Sequence, residues 1–305
     1  CPQQSGRAMS AMRRADVARL VALAVIWGAS YVFIRVLAPP LGAVWTATLR
    51  VLVGGLALVA WLAAIGVDAE VRRHWRAYLA VGILNCAIPF TLIAWAALTL
   101  PASYLVILNA VSPMFSALAA ALWLDERLTV AKLAGLAVGT AGVALLSRAG
   151  PLAPTFEVVV AIAASLGAAL CYALAGVWLK RHGSGLKPTA VAGWGQLAAA
   201  FVLLPVAAGT PVPGPVTPLV LANLAALALV CSAVAFLLYY RLIRDIGPTR
   251  AMTVTFLMPA FGMLWGVLLL DEIVTASMLL GALLVVGGTV AVLRPVPMPS
   301  RREAA

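Results

Sequence analysis

The chain has 305 residues, of which 64% are hydrophobic and only 10% charged, against roughly 45–50% apolar and about 25% charged in an average soluble domain. With a mean hydropathy of +1.06 it reads as a polytopic membrane protein. The formal net charge of +11 does not point to nucleic acid, because the basic residues are spread among loops rather than gathered on one soluble face.

The apolar segments run to about 20 residues each, enough to cross a hydrocarbon core of roughly 30 Å as α-helices. A β-barrel would show short alternating segments instead. After a polar tail over 1–16, the first predicted span, Val17–Leu37, carries Trp27, Ser30 and Tyr31 at i, i+3 and i+4, on one helix face. The two aromatics also suit an interfacial belt. The second, Leu41–Ile65, places Thr46 and Arg50 one turn apart. The charged loop "DAEVRRHWR" leads to the third, Ala77–Leu98, which holds Asn85. The fourth, Ala102–Trp123, has a polar stripe of Asn109, Ser112 and Ser116, with Pro113 freeing a carbonyl beside it. The fifth, Ala131–Ser147, contains the pair Gly135 and Gly139, suited to close packing or to a dimer face.

A proline-punctuated loop over 149–156 precedes the sixth span, Val158–Leu179, with Tyr172. The seventh, Thr189–Gly209, carries Trp194 and Gln196. The loop "GTPVPGPVTP" leads to the eighth, Pro218–Tyr239, with Ser232 and Tyr239. The ninth, Pro248–Leu270, holds Pro259 and Trp265, the tenth is Ala276–Leu293, and a polar tail occupies 294–305. The polar side chains within spans are the candidates for a substrate path, since such groups usually face a bundle interior or a wet cavity.

Sliding the second half onto the first by 146 residues superposes "LDERLT" on "LDEIVT", Pro113 on Pro259, Phe90 on Phe236 and Arg50 on Gln196. The chain is therefore two copies of a five-helix unit, 17–148 and 157–293. Because five is odd, the second copy enters the membrane from the other side. The expected fold is an all-α integral membrane protein of ten transmembrane helices in two inverted five-helix repeats. Asp125 and Glu126 then face one side of the membrane, and Asp271 and Glu272 the other, so the four acids are not a catalytic pair. They read as hairpin caps or gates, with Thr129 and Thr275 as N-caps of the following helices.

Placing the N-terminus inside puts 18 of the 21 Lys and Arg on inside segments, which makes both termini cytoplasmic. Arg50 lies within its span, where guanidinium stays charged. It is the sharpest candidate for a partner of a substrate carboxylate, with a structural bridge as the alternative. Cys86, Cys171 and Cys231 fall inside spans, and both histidines, His74 and His182, fall in loops. No metal or cofactor is implied, nor any nucleophile–base pair for an intramembrane enzyme.

Two stretches, "NAVSPMFSALAAALWLDERLTVAKLAGLAVGTAGVALL" and its echo "TFLMPAFGMLWGVLLLDEIVTASMLLGALLVVGGTVAVL", together with "IWGASYVFIRV" and "TATLRVLVGGLAL", resemble the EamA-type family of the drug/metabolite transporter superfamily. The resemblance implies a bacterial plasma-membrane permease in which helices one to four and six to nine surround a central path. Five and ten would lie at the periphery. The chain departs from the pattern at Asp125 and Asp271, where the family more often has Gly. The family implies export of amino acids or related metabolites by alternating access. Drug efflux, or carriage of phosphorylated or nucleotide-linked sugars, is the alternative. A small molecule and the lipid bilayer are the partners expected, and the chain could be a monomer or a homodimer. With no Asp or Glu deep in any span, export is expected to be driven by the substrate gradient.

Overall fold

The computed structural model describes residues 13–126, 128–149 and 152–293, so most of the predicted N-terminal tail, all of the predicted C-terminal tail, Arg127 and two residues of the inter-repeat loop lie outside the described residues. Ten helices follow one another: α1 Arg14–Leu41, α2 Ala43–Ala64, α3 Val71–Ala96, α4 Ala102–Trp123 and α5 Val130–Ala149, then α6 Phe156–His182, α7 Pro188–Ala208, α8 Pro218–Ile246, α9 Val254–Leu270 and α10 Ala276–Leu293. Among the described residues, nine are long and apolar enough to cross a membrane. The 17 residues of α9 span about 25 Å, and the helical turn Pro248–Ala251 in front of it completes its passage. The expected loop "DAEVRRHWR" is partly helix, since α3 begins at Val71.

Long-range hydrogen bonds sort the helix ends into two faces. At the near face, where α1 begins, Arg19 donates to Asp245 at the end of α8 (3.1 Å), and Lys187 Nζ reaches the Asp68 carbonyl oxygen ahead of α3 (2.9 Å). At the far face, Trp45 Nε1 at the start of α2 donates to the Thr210 carbonyl oxygen after α7 (3.1 Å), and Gly214 N donates to that of Pro40 (2.9 Å). The repeats are thus inverted. Their packing follows the same pseudo-twofold: α1 lies on α9 as α6 lies on α4, α3 on α7 as α8 on α2, while α2–α7 and α5–α10 each join equivalent helices.

Water does not drive helices together in lipid, so close van der Waals approach matters most. In the α5–α10 pair a Cβ added at Gly135 would stand 2.6 Å from the Gly288 carbonyl oxygen, and one at Gly142 2.8 Å from that of Gly281. Gly139 lies against Met114. The small face of α5 is consequently buried within the chain, where Gly135 and Gly139 serve close packing.

Two departures from α geometry sit at matching places. α3 widens to a π-helix over Ile83–Ala87 and α8 over Ala226–Val234, and the 146-residue register superposes these stretches. Such widenings are frequent at functional sites.

Candidate functional site

Between the repeats lies a cavity of about 340 Å³, within the usual range for small-molecule sites. It is lined by residues of α1, α2, α3, α4, α6, α8 and α9; among the described residues α5, α10 and also α7, which was expected beside the central path, contribute none. α6 contributes Tyr172 and Gly176, α8 contributes Phe236 and Tyr239, and α9 with its preceding turn contributes Met252, Val254, Thr255 and Met258. These positions lie toward the near-face ends of their helices, while Ser30, Tyr31 and Ile34 of α1, Arg50 of α2 and Phe90 and Ile93 of α3 lie toward the far-face ends of theirs, so the cavity sits between the two faces.

Of the residues singled out from sequence, Trp27, Ser30, Tyr31, Arg50, Asn85, Ser112, Pro113, Ser116, Tyr172 and Tyr239 all line it. Thr46, Asn109, Trp194, Gln196 and Ser232 do not, and Pro259 is buried away from it. The reasons are local. Thr46 donates its hydroxyl to the Gly42 carbonyl oxygen one turn back (2.7 Å). Asn109 stands just before the break in α4, where Pro113 has no N–H for the Asn109 carbonyl oxygen and the Ser112 hydroxyl supplies the missing donor (2.7 Å). Gln196 is fully buried between α7 and α2, its Nε2 on the Ala192 carbonyl oxygen (3.3 Å).

Arg50 is 7% exposed and its guanidinium lies over the Phe90 ring, 3.9 Å from the centroid, a cation–π contact. Its Nε donates to Ser232 Oγ (3.1 Å), and that hydroxyl donates on to the Leu227 carbonyl oxygen five residues back (3.2 Å), inside the π segment of α8. Ser232 therefore acts through Arg50 rather than on the cavity. Among the described residues no carboxylate pairs with Arg50, and no Asp or Glu lines the cavity. The buried cation faces an open space.

The serine and threonine hydroxyls around it are committed. Ser30 donates to the Trp27 carbonyl oxygen (2.6 Å), Ser112 to that of Asn109, Ser116 to that of Ser112 (2.9 Å) and Thr255 to that of Met252 (2.8 Å). Each hydroxyl has one proton to give. These four oxygens can therefore only accept from a ligand. The rest of the wall is apolar and aromatic: Trp27 stands edge-on to Phe236 (6.0 Å between centroids) and tilts against Tyr239 (5.2 Å), while Phe90 meets Tyr172 (6.5 Å). Phe90 and Phe236, equivalent in the two repeats, were legible in the sequence as a matched pair but not as wall residues.

The repeated acids take the same backbone and different partners. Asp125 and Asp271 both have positive φ, 54° and 52°, the left-handed conformation that Gly adopts freely and Asp tolerates. The Glu126 and Glu272 amides then donate six residues back, to the carbonyl oxygens of Ala120 (3.4 Å) and Gly266 (3.1 Å), closing α4 and α9 with Schellman-type turns. Asp thus serves where Gly would be expected. Thr129 and Thr275 accept from the amides of Lys132 and Met278 (3.3 Å each), starting α5 and α10.

At the far face, the Glu272 carboxylate accepts from Ala102 N (2.6 Å), Ser103 N (2.9 Å) and the Ser103 hydroxyl, binding the end of α9 to the start of α4. The Arg35 guanidinium on the Ala97 carbonyl oxygen, and Trp265 Nε1 on that of Val25 (3.1 Å), tie α1 to α3 and α9. At the near face, Glu126 instead accepts from Lys180 Nζ (2.7 Å) and Lys132 Nζ (3.4 Å). The hydrogen bond from Lys180 and the two ammonium charges hold its carboxyl below the usual carboxylate range, against a smaller opposing effect of burial.

The EamA-like transporter family matches this chain twice, over residues 17–148 and 159–294. The chain belongs to the EamA-like transporter family. It is a multi-pass membrane protein of the drug/metabolite transporter superfamily, and two of the relatives it resembles carry transporter or exporter names. An uncharacterized transporter YvbV of Bacillus subtilis is 26% identical over 88% of both chains. A probable terminal-alkyne amino-acid exporter of Streptantibioticus cattleyicolor is 27% identical over 93% of this chain and 95% of its own. Protein PecM of Dickeya dadantii is 25% identical over 91% and 92%. A solved structure titled only "Crystal structure of protein" superposes with a TM-score of 0.63 at 21% identity, covering 92% of this chain and 96% of that one, a likeness of fold.

Proposed function

We propose that this EamA-like transporter exports amino acids with large apolar side chains from bacterial cells, by alternating access of its two inverted repeats. Arg50 supplies the charge that receives the carboxylate. The acceptor-only hydroxyls of Ser30, Ser112, Ser116 and Thr255, with the faces of Trp27 and Tyr239, receive the ammonium. Phe90, Phe236, Met252 and Met258 receive the side chain. The near face is the cytoplasmic one under the positive-inside rule, the side from which an exporter is loaded.

The observation that carries this reading is one buried cation, without a carboxylate partner among the described residues, in a cavity whose serine and threonine hydroxyl donors are already spent. A hydrophobic cation would meet the guanidinium with no carboxylate to balance it. A phosphorylated sugar would bring two charges to one arginine. The relative named as a probable amino-acid exporter agrees with the reading. With no carboxylate lining the cavity, export runs down the substrate gradient without a proton relay there.

The test is efflux from proteoliposomes loaded with L-phenylalanine, phenethylamine or glucose 6-phosphate. L-phenylalanine is expected to leave at least tenfold faster than the other two, at a rate indifferent to an imposed pH gradient. Preferential efflux of phenethylamine would overturn the substrate class, and acceleration by the pH gradient would overturn the uncoupled mechanism.

A further inference from the structure

Glu126 and Glu272 occupy the same place in the repeat and the same turn geometry, yet one binds backbone amides of the opposite repeat and the other binds two lysines. Shifting the Glu272 contact by 146 residues maps Ala102 and Ser103 onto Pro248 and Thr249, at the entry to α9. We propose that the two glutamates are reciprocal gate latches: each carboxylate closes its own face by binding the start of the facing helix in the other repeat, and only one latch is fastened at a time.

In this structure the far-face latch is fastened and the near-face latch is open. Glu126 is parked on Lys180, at the end of α6, and on Lys132. In the opposite state Glu126 leaves the lysines for the amide of Thr249, while Glu272 releases Ala102 and Ser103 and the cavity opens to the far face. Alternating access of inverted repeats exchanges the conformations of the two copies, so a contact seen in one copy is the contact required of the other. The two latches are not equal. Pro248 has no N–H where Ala102 has one, so the near-face latch has one donor fewer, and the state with the far face closed is favoured at rest.

The proposal rests on transport by alternating access but not on the identity of the substrate. An accessibility measurement without substrate therefore separates the two. With the four native cysteines replaced by alanine and Thr255→Cys placed in the cavity, a membrane-impermeant maleimide is applied to one face or the other of oriented vesicles. The readout is the ratio of near-face to far-face labelling.

A carboxylate bound to backbone amides holds more strongly than an exposed ion pair, so Glu126→Gln should raise this ratio by roughly fivefold. Lys180→Met removes the nearer of the two parking partners and should lower it by about twofold. Glu272→Gln should lower it by roughly tenfold, having lost the stronger latch. Ser103→Ala, which keeps both amides and removes one hydroxyl donor, should lower it less and covers the case in which Glu272→Gln fails to fold. The proposal is overturned if Glu126→Gln and Lys180→Met move the ratio in the same direction, or if neither moves it.

Discussion

The second helix of one repeat and the second helix of the other began as the same element, and they now do different work. In α2, Arg50 reaches the cavity through a hydrogen bond to Ser232 and a seat on Phe90. In α7, the equivalent Gln196 is wholly buried, with its Oε1 unpartnered among the described residues. That oxygen lies where a Cβ on Gly54 would come within 2.8 Å, so the glycine makes room for the amide. Duplication supplied the frame, and divergence at one matched pair placed a single charge on one side of the path. The difference teaches that the chemistry of this site is asymmetric even though its scaffold is not.

The comparison can be broken most sharply at Arg50. Arg50→Ala removes the only charge lining the cavity among the described residues and should weaken L-phenylalanine binding by about 100-fold, as expected for a charged hydrogen-bonding partner worth roughly 2–3 kcal/mol, measured by calorimetry on the detergent-solubilised protein. Gly54→Ala acts on the other half of the comparison. The new methyl meets Gln196 Oε1 and, at 2.9 Å, the Ala228 carbonyl oxygen, and should cost about 1–3 kcal/mol of stability, read as a lower thermal unfolding midpoint. Ser232→Ala leaves Arg50 charged but loosely held, with an expected loss of roughly fivefold in affinity from one hydrogen bond of about 1 kcal/mol.

Gln196→Leu tests whether α7 contributes to binding at all. It removes an unpartnered buried amide oxygen at similar volume and should leave affinity within about twofold. The smallest expected effect is that of pH. The carboxyl of Glu126 is held low by Lys180, so its ion pair is fully present above the ordinary carboxylate value of about 4.3 and is lost only as pH falls through the depressed one. Labelling of the two faces should therefore stay flat between pH 5 and 8 and change only in stronger acid.

Much of this was legible before the fold was known. Ten apolar segments, a 146-residue register and the charge of the loops gave the helices, the inverted repeat and the two acidic turns. Arg50 and the Trp27, Ser30, Tyr31 face could be named because a polar group in lipid must face something.

What failed did so for local reasons. Periodicity cannot say whether a hydroxyl turns to the cavity or back to its own helix, as Thr46 does, nor which of two equivalent positions stays on the path, as Arg50 and Gln196 illustrate. The π segments of α3 and α8 were invisible, because a single widened turn leaves no mark on an apolar sequence. Yet the residues they carry matter, since Asn85 lines the cavity and Ser232 holds Arg50. The Asp that replaces the expected Gly in both turns became intelligible only with the backbone angles.

The most direct measurement is a double-mutant cycle between protein and ligand: affinities of L-phenylalanine and of L-phenylalaninamide, which lacks the carboxylate, for the wild type and for Arg50→Ala. If Arg50 receives the carboxylate, amidation weakens binding to the wild type by about 50-fold and to the variant hardly at all, a coupling of roughly 2 kcal/mol. Equal losses in both proteins would contradict the account and make Arg50 a structural bridge.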